Sequence, residues 1–155
     1  MELKRVVVTG LGAVTPLGND VATTWNNAIN GVSCAGPITQ FDASKFKTQF
    51  ACEVKDFDVT KYLDRKEARK CDRYTQLAIA ASEEAIADSG LKFETENCDK
   101  IGVIVSAGIG GIKTFEEEVG YYYQNKEMGP KFNPFFIPKM IADIASGHIS
   151  MRHGL

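Results

Sequence analysis

Two short stretches constrain this chain more than anything else in it. Lys4 to Thr9, with Val6-Val7-Val8 at its centre, and Ile101 to Val105 are apolar runs rich in β-branched residues. Each is followed by glycine: Gly10-Leu11-Gly12 after the first, and the Ser106 to Gly111 turn after the second. Runs apolar throughout read as buried strands of a sheet covered on both faces, because a half-exposed strand would alternate. The remaining sequence is largely helical in pattern, and strands alternating with helices predict an α/β layered fold. Yet only these two clear runs occur in 155 residues, whereas a covered sheet has about four to six strands. Strands are missing or disguised.

Helix boundaries are marked by local chemistry. Asn19 or Asp20 caps a helix to about Ile29, with Gly31 as its stop and Val21, Trp25 and Ala28 on one face. From Gly36 to Phe57 the pattern is mixed, with extended stretches around Thr48 to Val54. Lys61 to Lys70 is a charged helix. Asp72 caps a longer one, Arg73 to Ser89, ended by Gly90, with Tyr74, Leu77, Ala78, Ala81 and Ala85 on its inner face. Ile112 to Tyr123 is helical, Gly129 to Pro138 is a loop, and Lys139 to His153 is a final helix entered at Pro138 and stopped by Gly154. No repeat or linker divides the chain.

Composition excludes several classes. A net charge of −2 with 44 % apolar residues describes an ordered chain with no overall basic excess for nucleic acid. No window approaches the ~18 apolar residues of a membrane helix. The Lys4-Arg5 pair with its strand-length apolar run lacks the features of a signal peptide, so a cytoplasmic protein is expected. Cys34, Cys52, Cys71 and Cys98 include no C-x-x-C pair and read as free thiols. His148 and His153 lie five apart, on different helix faces, and no metal site is expected.

Four local features carry candidate chemistry. Gly10-Leu11-Gly12 follows a strand as a dinucleotide fingerprint would, but Thr15 stands where its third glycine belongs, and Pro16 follows. The Ser106 to Thr114 segment resembles a phosphate-binding loop, but Ile112 separates Gly111 from Lys113. Its glycines suit a backbone that approaches something closely, with Ile109 either a projecting apolar wall or part of the core. Arg65, Lys66, Arg69 and Lys70 share one side of a helix, where like charges repel, so either solvent or an acidic partner faces them. Asn133-Pro134-Phe135-Phe136-Ile137-Pro138 is a stiff apolar element that either lines a pocket, closes an interface or packs in the core. Glu116-Glu117-Glu118 reads as a solvated helix turn, and no nucleophile–base pair is visible.

The same residues, taken in order, resemble the β-ketoacyl-[acyl-carrier-protein] synthases. Val6-Val7-Val8-Thr9-Gly10-Leu11-Gly12, Thr15-Pro16-Leu17-Gly18-Asn19 and Trp25 resemble the family's opening. Arg65-Lys66-Glu67, Asp88-Ser89-Gly90-Leu91, Gly108-Ile109-Gly110-Gly111, Pro134-Phe135-Phe136-Ile137-Pro138 and Ser146-Gly147-His148 to Gly154-Leu155 continue it along the whole chain. The isoleucine in the glycine turn and the Phe-Phe loop resemble the synthase II type.

The resemblance implies a thiolase-like α/β fold, with mixed sheets between helix layers, of which residues 1–155 would be part of the N-terminal ketoacyl-synthase domain, the C-terminal half being absent. It implies a homodimer without organic cofactor that condenses acyl and malonyl thioesters, the latter on acyl carrier protein, with release of carbon dioxide. The family's nucleophilic cysteine lies at a strand-to-helix elbow, followed later by two histidines. None of the four cysteines here matches it, and His148 and His153 are not the catalytic pair. These groups are expected beyond Leu155, and the chain alone is expected to be inactive. Ile109 would gate the acyl pocket. Phe136 would line it across the dimer interface, beside Phe135 and Ile137. Arg65, Lys66, Arg69 and Lys70 would form the carrier-protein docking helix, with Lys131 contributed by the other subunit. A non-catalytic chain-length-factor-like partner and a polyketide-type condensing domain are the alternatives, and a nucleotide-binding α/β domain is a third.

Overall fold

The computed structural model describes residues 4–155. The chain divides into two compact units: the stretch up to Asp58 with Ala80–Gly90, and Val59–Ile79 with Leu91–Leu155.

In the first unit, α1 is Val21–Ile29. The Asp20 side chain accepts the Thr23 amide at 2.6 Å and the Thr23 hydroxyl at 2.9 Å. These bonds hold the Asp20 carboxyl below its ordinary range, as expected when the charged form is the acceptor. Gly31 ends the helix at φ +66°. The inward face differs from expectation. Trp25 is 66 % exposed, while Val21, Thr24 and Asn27 are half-buried. Hydrogen bonding decides this, because the Asn27 amide donates to the Leu17 carbonyl at 2.6 Å and the Thr24 hydroxyl bonds Thr15 at 3.0 Å. A short antiparallel pair follows, β1 (Ala35–Pro37) on β2 (Phe50–Cys52), with Ala35 opposite Cys52.

The first glycine turn packs on α3, the helix Arg73–Ser89. A Cβ on Gly12 would stand 1.8 Å from the Ala81 carbonyl, and one on Gly10 would stand 2.2 Å from that of Ala85. Only glycine allows so close an approach. The amides of the turn are also occupied. Leu11 donates to Asp88 at 2.9 Å, and Ala13 and Val21 both donate to Glu84 at 2.8 Å. Two carboxylates stand where a phosphate would need to sit, so the dinucleotide reading fails for an electrostatic reason as well as a sequence one.

In the second unit, a 3-10 turn at Val59–Lys61 leads to α2, Arg65–Lys70. Asp64 caps α2 by accepting the Lys66 and Glu67 amides. Asp72 then accepts the Tyr74 amide at 3.4 Å at the start of α3. The inner face of α3 is centred on Thr75 and Ile79 here, and on Ala80 in the first unit. The expected Tyr74, Leu77, Ala78, Ala81 and Ala85 are half-buried instead. Leu63, Cys71, Ile79 and Ile149 form a core, with Val59, Tyr62, Ala68, Val103 and Val105 packed against it. α4 is Ile112–Gln124, α5 is Phe136–Met140 and α6 is Ile144–His153.

The single helix expected from Lys139 to His153 is therefore broken. Ile141 is extended at ψ 132°. The Met140 carbonyl accepts the Gly111 amide at 3.0 Å and the Ile141 carbonyl accepts the Tyr74 hydroxyl. Outside donors thus satisfy carbonyls that a continuous helix would have used.

The two expected strands need a larger correction. Residues 4–9 are exposed throughout and form no ladder among the described residues, and Val6 is 90 % exposed. Residues 101–105 form none either. There, exposure alternates: Ile104 is 96 % exposed, whereas Val103 and Val105 pack on the core. Val105 finds a substitute for a neighbouring strand, because the Ser146 hydroxyl accepts its amide at 2.9 Å and donates to its carbonyl at 3.1 Å. A strand's hydrogen bonds come from its neighbours, and among the described residues neither run is paired in a ladder.

Candidate functional site

The candidate site residues all lie in the second unit, and the site is built around the second glycine turn. Gly110 has φ +84°, and a Cβ there would stand 2.2 Å from the Met140 carbonyl; one on Gly111 would stand 2.3 Å from that of Lys139. The close approach expected of this turn is thus made to the end of α5. It leaves Ile109 projecting, 68 % exposed rather than in the core. Ile109 lines a cavity of about 390 Å³ with Ile112, Phe115, Met140, Ile141 and Ala142. Every lining side chain is apolar, so the cavity suits a hydrocarbon rather than a phosphate.

The Pro-Phe-Phe loop is shaped by Asn133. Its amide donates to the Glu118 carboxylate at 2.9 Å, and its side chain accepts the Phe135 amide at 2.9 Å. Glu118 is therefore a structural acceptor and not merely a solvated charge. Phe136 stacks on Phe132 at 5.6 Å between centroids and on Phe115 at 6.2 Å. Phe115 connects this column to the Ile109 cavity. Phe135, Phe136 and Ile137 do not line that cavity themselves; Ile137 and Phe135 are exposed.

Arg65, Lys66, Arg69 and Lys70 are all exposed on α2. Lys70 holds its ammonium 5.5 Å from the Phe135 ring centroid, within range of a cation–π attraction. The basic helix and the Phe-Phe loop thus meet in one unit. Lys131 is elsewhere, lining a separate cleft of about 480 Å³ with Glu117, Glu118 and Tyr121.

One cluster escaped the sequence. Cys71 and His148, 77 residues apart, bring Sγ and Nε2 to 3.7 Å. They line a third cavity, of about 250 Å³, with Glu67, Lys70 and Arg152. Spacing gave no sign of the pair, because the two residues lie 77 positions apart. Burial, with the nearby Glu67 carboxylate, pushes the Cys71 thiol up, and burial pushes His148 down. Both groups therefore favour their neutral forms, which makes Cys71 a packed thiol rather than a nucleophile. Cys71 is 5 % exposed, and Cys52 is exposed. On alkylation of the native chain with iodoacetamide at pH 8, mass spectrometry should find Cys71 modified at least about tenfold more slowly than Cys52, because a raised pKa and poor access both reduce thiolate attack. Equal rates would contradict this account.

Tyr74 completes the surroundings. Burial raises its phenol, and its hydroxyl donates to the Ile141 carbonyl at the cavity wall.

Comparison with known proteins supplies the context. Residues 3–155 match the family described as beta-ketoacyl synthase, N-terminal domain. The chain is 46 % identical over 155 residues to a 3-oxoacyl-[acyl-carrier-protein] synthase 2 of Synechocystis sp., covering 99 % of this chain and 36 % of that protein. It is 44 % identical over 152 residues to the Staphylococcus aureus (strain COL) protein of that name, covering 97 % and 36 %. The chain thus spans just over a third of the length of these relatives. Among solved structures, a type II polyketide ketosynthase in complex with its acyl-carrier protein aligns with TM-score 0.78 and 28 % identity, over 98 % of this chain and 39 % of that one. The ishigamide ketosynthase/chain length factor aligns at 0.77 and 25 %, over 95 % and 36 %.

Proposed function

The chain belongs to the β-ketoacyl synthase family, with its thiolase-like α/β fold, and from that premise we propose that it is the carrier-docking and acyl-binding part of a longer 3-oxoacyl-[acyl-carrier-protein] synthase of type II. The contact that carries the reading is Lys70 over Phe135. It joins a helix of four exposed cations to a loop that reaches the Ile109 cavity through stacked rings. A condensing enzyme needs both features in one place, an anionic carrier protein held outside and its acyl chain held inside.

In this reading α2 docks the acidic carrier protein, with Lys131 supplied by the second subunit of a homodimer. Ile109 gates the hydrocarbon cavity, and Phe135, Phe136 and Ile137 complete its surroundings at the dimer interface. Acyl transfer to a cysteine outside these 155 residues releases the first carrier's thiol. Loss of carbon dioxide from the malonyl unit leaves a carbanion, which attacks the acyl-cysteine carbonyl; the new carbon–carbon bond forms as the carbon–sulfur bond to the cysteine breaks, freeing its thiolate and leaving the 3-oxoacyl thioester on the second carrier. The residues described here bind and orient; they hold no nucleophile for the reaction. No described helix is long and apolar enough to cross a membrane, and the protein would work in the cytoplasm.

The test is turnover. Supplied with acyl- and malonyl-carrier protein, a longer protein containing this chain should release carbon dioxide and form 3-oxoacyl product, while the isolated 155 residues should form none. The neighbouring ketosynthase/chain length factor structure motivates a second reading, a non-catalytic partner. A longer protein that folds and binds acyl-carrier protein without any carbon dioxide release would favour that reading.

A further inference from the structure

The junction between α2 and α3 is only two residues long, Cys71 and Asp72, yet hydrogen bonds run from it and the start of α3 to both walls of the Ile109 cavity. Asp72 Oδ2 accepts the Thr114 hydroxyl at 2.5 Å. Thr114 is 7 % exposed and sits on α4 between Ile112 and Phe115, two residues that line the cavity. The Tyr74 hydroxyl donates to the carbonyl of Ile141, on another part of the lining. The glycine turn that carries Ile109 passes close to the same carboxylate, because a Cβ on Gly111 would stand 2.9 Å from Asp72 Oδ2.

The walls are tied to each other by the bond from the Gly111 amide to the Met140 carbonyl, and these bonds add a tie from both walls to the junction. Ile109, Ile112, Phe115 and Ile141 are all exposed, so core packing does not fix their separation. α4 also starts at Gly111 without a side-chain cap. The start of α4 and the end of α5 are thus also referred to the residues that directly follow the basic helix.

We infer that Asp72, Thr114 and Tyr74 are positioning residues that transmit carrier-protein docking on α2 to the shape of the acyl cavity. The inference rests on the docking and acyl-binding roles proposed above. An acyl chain delivered on its carrier protein then meets a cavity set by docking, whereas the same chain on a small thiol meets one that is not. The hydrogen bonds are directional, so they carry a displacement of the junction to the walls; apolar contact alone would let the walls slide.

The test compares one long acyl chain as its carrier-protein thioester and as its pantetheine thioester, in the longer synthase. Thr114→Val keeps the side-chain shape and removes the donor; Tyr74→Phe removes the other. Each variant should lower kcat with the carrier-linked substrate by about tenfold, with KM and pantetheine-linked turnover changed less than about twofold. Thr114→Ser, which keeps the hydroxyl, should restore carrier-linked turnover. Equal losses on both substrates, a loss in KM alone, or no rescue by Thr114→Ser would overturn the inference. A wild-type enzyme with no preference for the carrier-linked chain would overturn the docking reading itself, and is recognised before any variant is made.

Discussion

Ile109→Phe in the longer synthase is expected to shorten the range of acyl chains accepted, with the largest losses for the longest chains. Ile109 projects into an apolar cavity of about 390 Å³ from a turn whose flanking glycines set the backbone. The substitution leaves Gly110 and its positive φ in place, and the side chain is largely exposed, so the fold should tolerate it. What changes is the space beyond the gate. Each methylene kept out of an apolar site forfeits about 0.8 kcal/mol. Excluding a stretch of about four carbons therefore costs roughly 3 kcal/mol, on the order of a hundredfold in kcat/KM. Short chains that end before the gate should lose little. A chain-length profile measured across a series of acyl-carrier proteins checks this; a uniform loss at every length would mean that Ile109 supports the fold instead of gating the cavity.

Reversing two charges on α2 should have the second-largest effect. Lys66→Glu with Arg69→Glu leaves the Lys70 contact with Phe135 intact, and so separates docking from the loop. Exposed ion pairs are each worth up to about 1 kcal/mol. Turning two attractions into repulsions should weaken carrier-protein binding by roughly 2 kcal/mol, about thirtyfold in Kd at low salt. The difference should shrink as salt rises, because the Debye length falls to about 8 Å at physiological ionic strength. Most of it should appear in the association rate. Calorimetry at two salt concentrations, with stopped-flow association, would show both effects. Unchanged affinity in the folded variant would remove the docking role from α2.

The site was partly legible before the structure. Ile109 reads from its glycine neighbours as either a wall or a core residue, and exposure decides for the wall. The four cations of α2 read from i,i+4 spacing, and the structure places them all in solvent. The Phe-Phe loop was visible as a stiff apolar element, but its path to the cavity runs through Phe115, which no motif marked. The Cys71–His148 approach and the Asp72–Thr114 bond join residues 77 and 42 positions apart. No local pattern encodes such separations. Glu84 and Asp88 are similar: on a helix they read as solvated charges, yet they take the amides of the first glycine turn.

The same division runs through the fold. Asp20, Asp72, Gly31, Gly90 and Gly154 mark helix ends correctly from sequence, because a helix satisfies its backbone within itself and its caps lie next door. Burial was less accessible: Trp25 is exposed while Thr24 and Asn27 turn inward, since hydrogen bonds to Thr15 and Leu17 outweigh a ring's preference for the interior. Strands were least accessible. Residues 4–9 and 101–105 carry strand composition but no ladder among the described residues, because a strand is completed only by a neighbour. Sequence by itself thus determined several helix ends with their caps and the chemical types at the candidate site, but not that α2 starts only at Arg65 nor that α5 starts at Phe136, within the expected loop, and breaks from α6. Tertiary structure alone decided which carboxylates close the first turn, which walls face the Ile109 cavity, and that the residues behind the basic helix hold them, because each depends on distances between segments far apart in the chain.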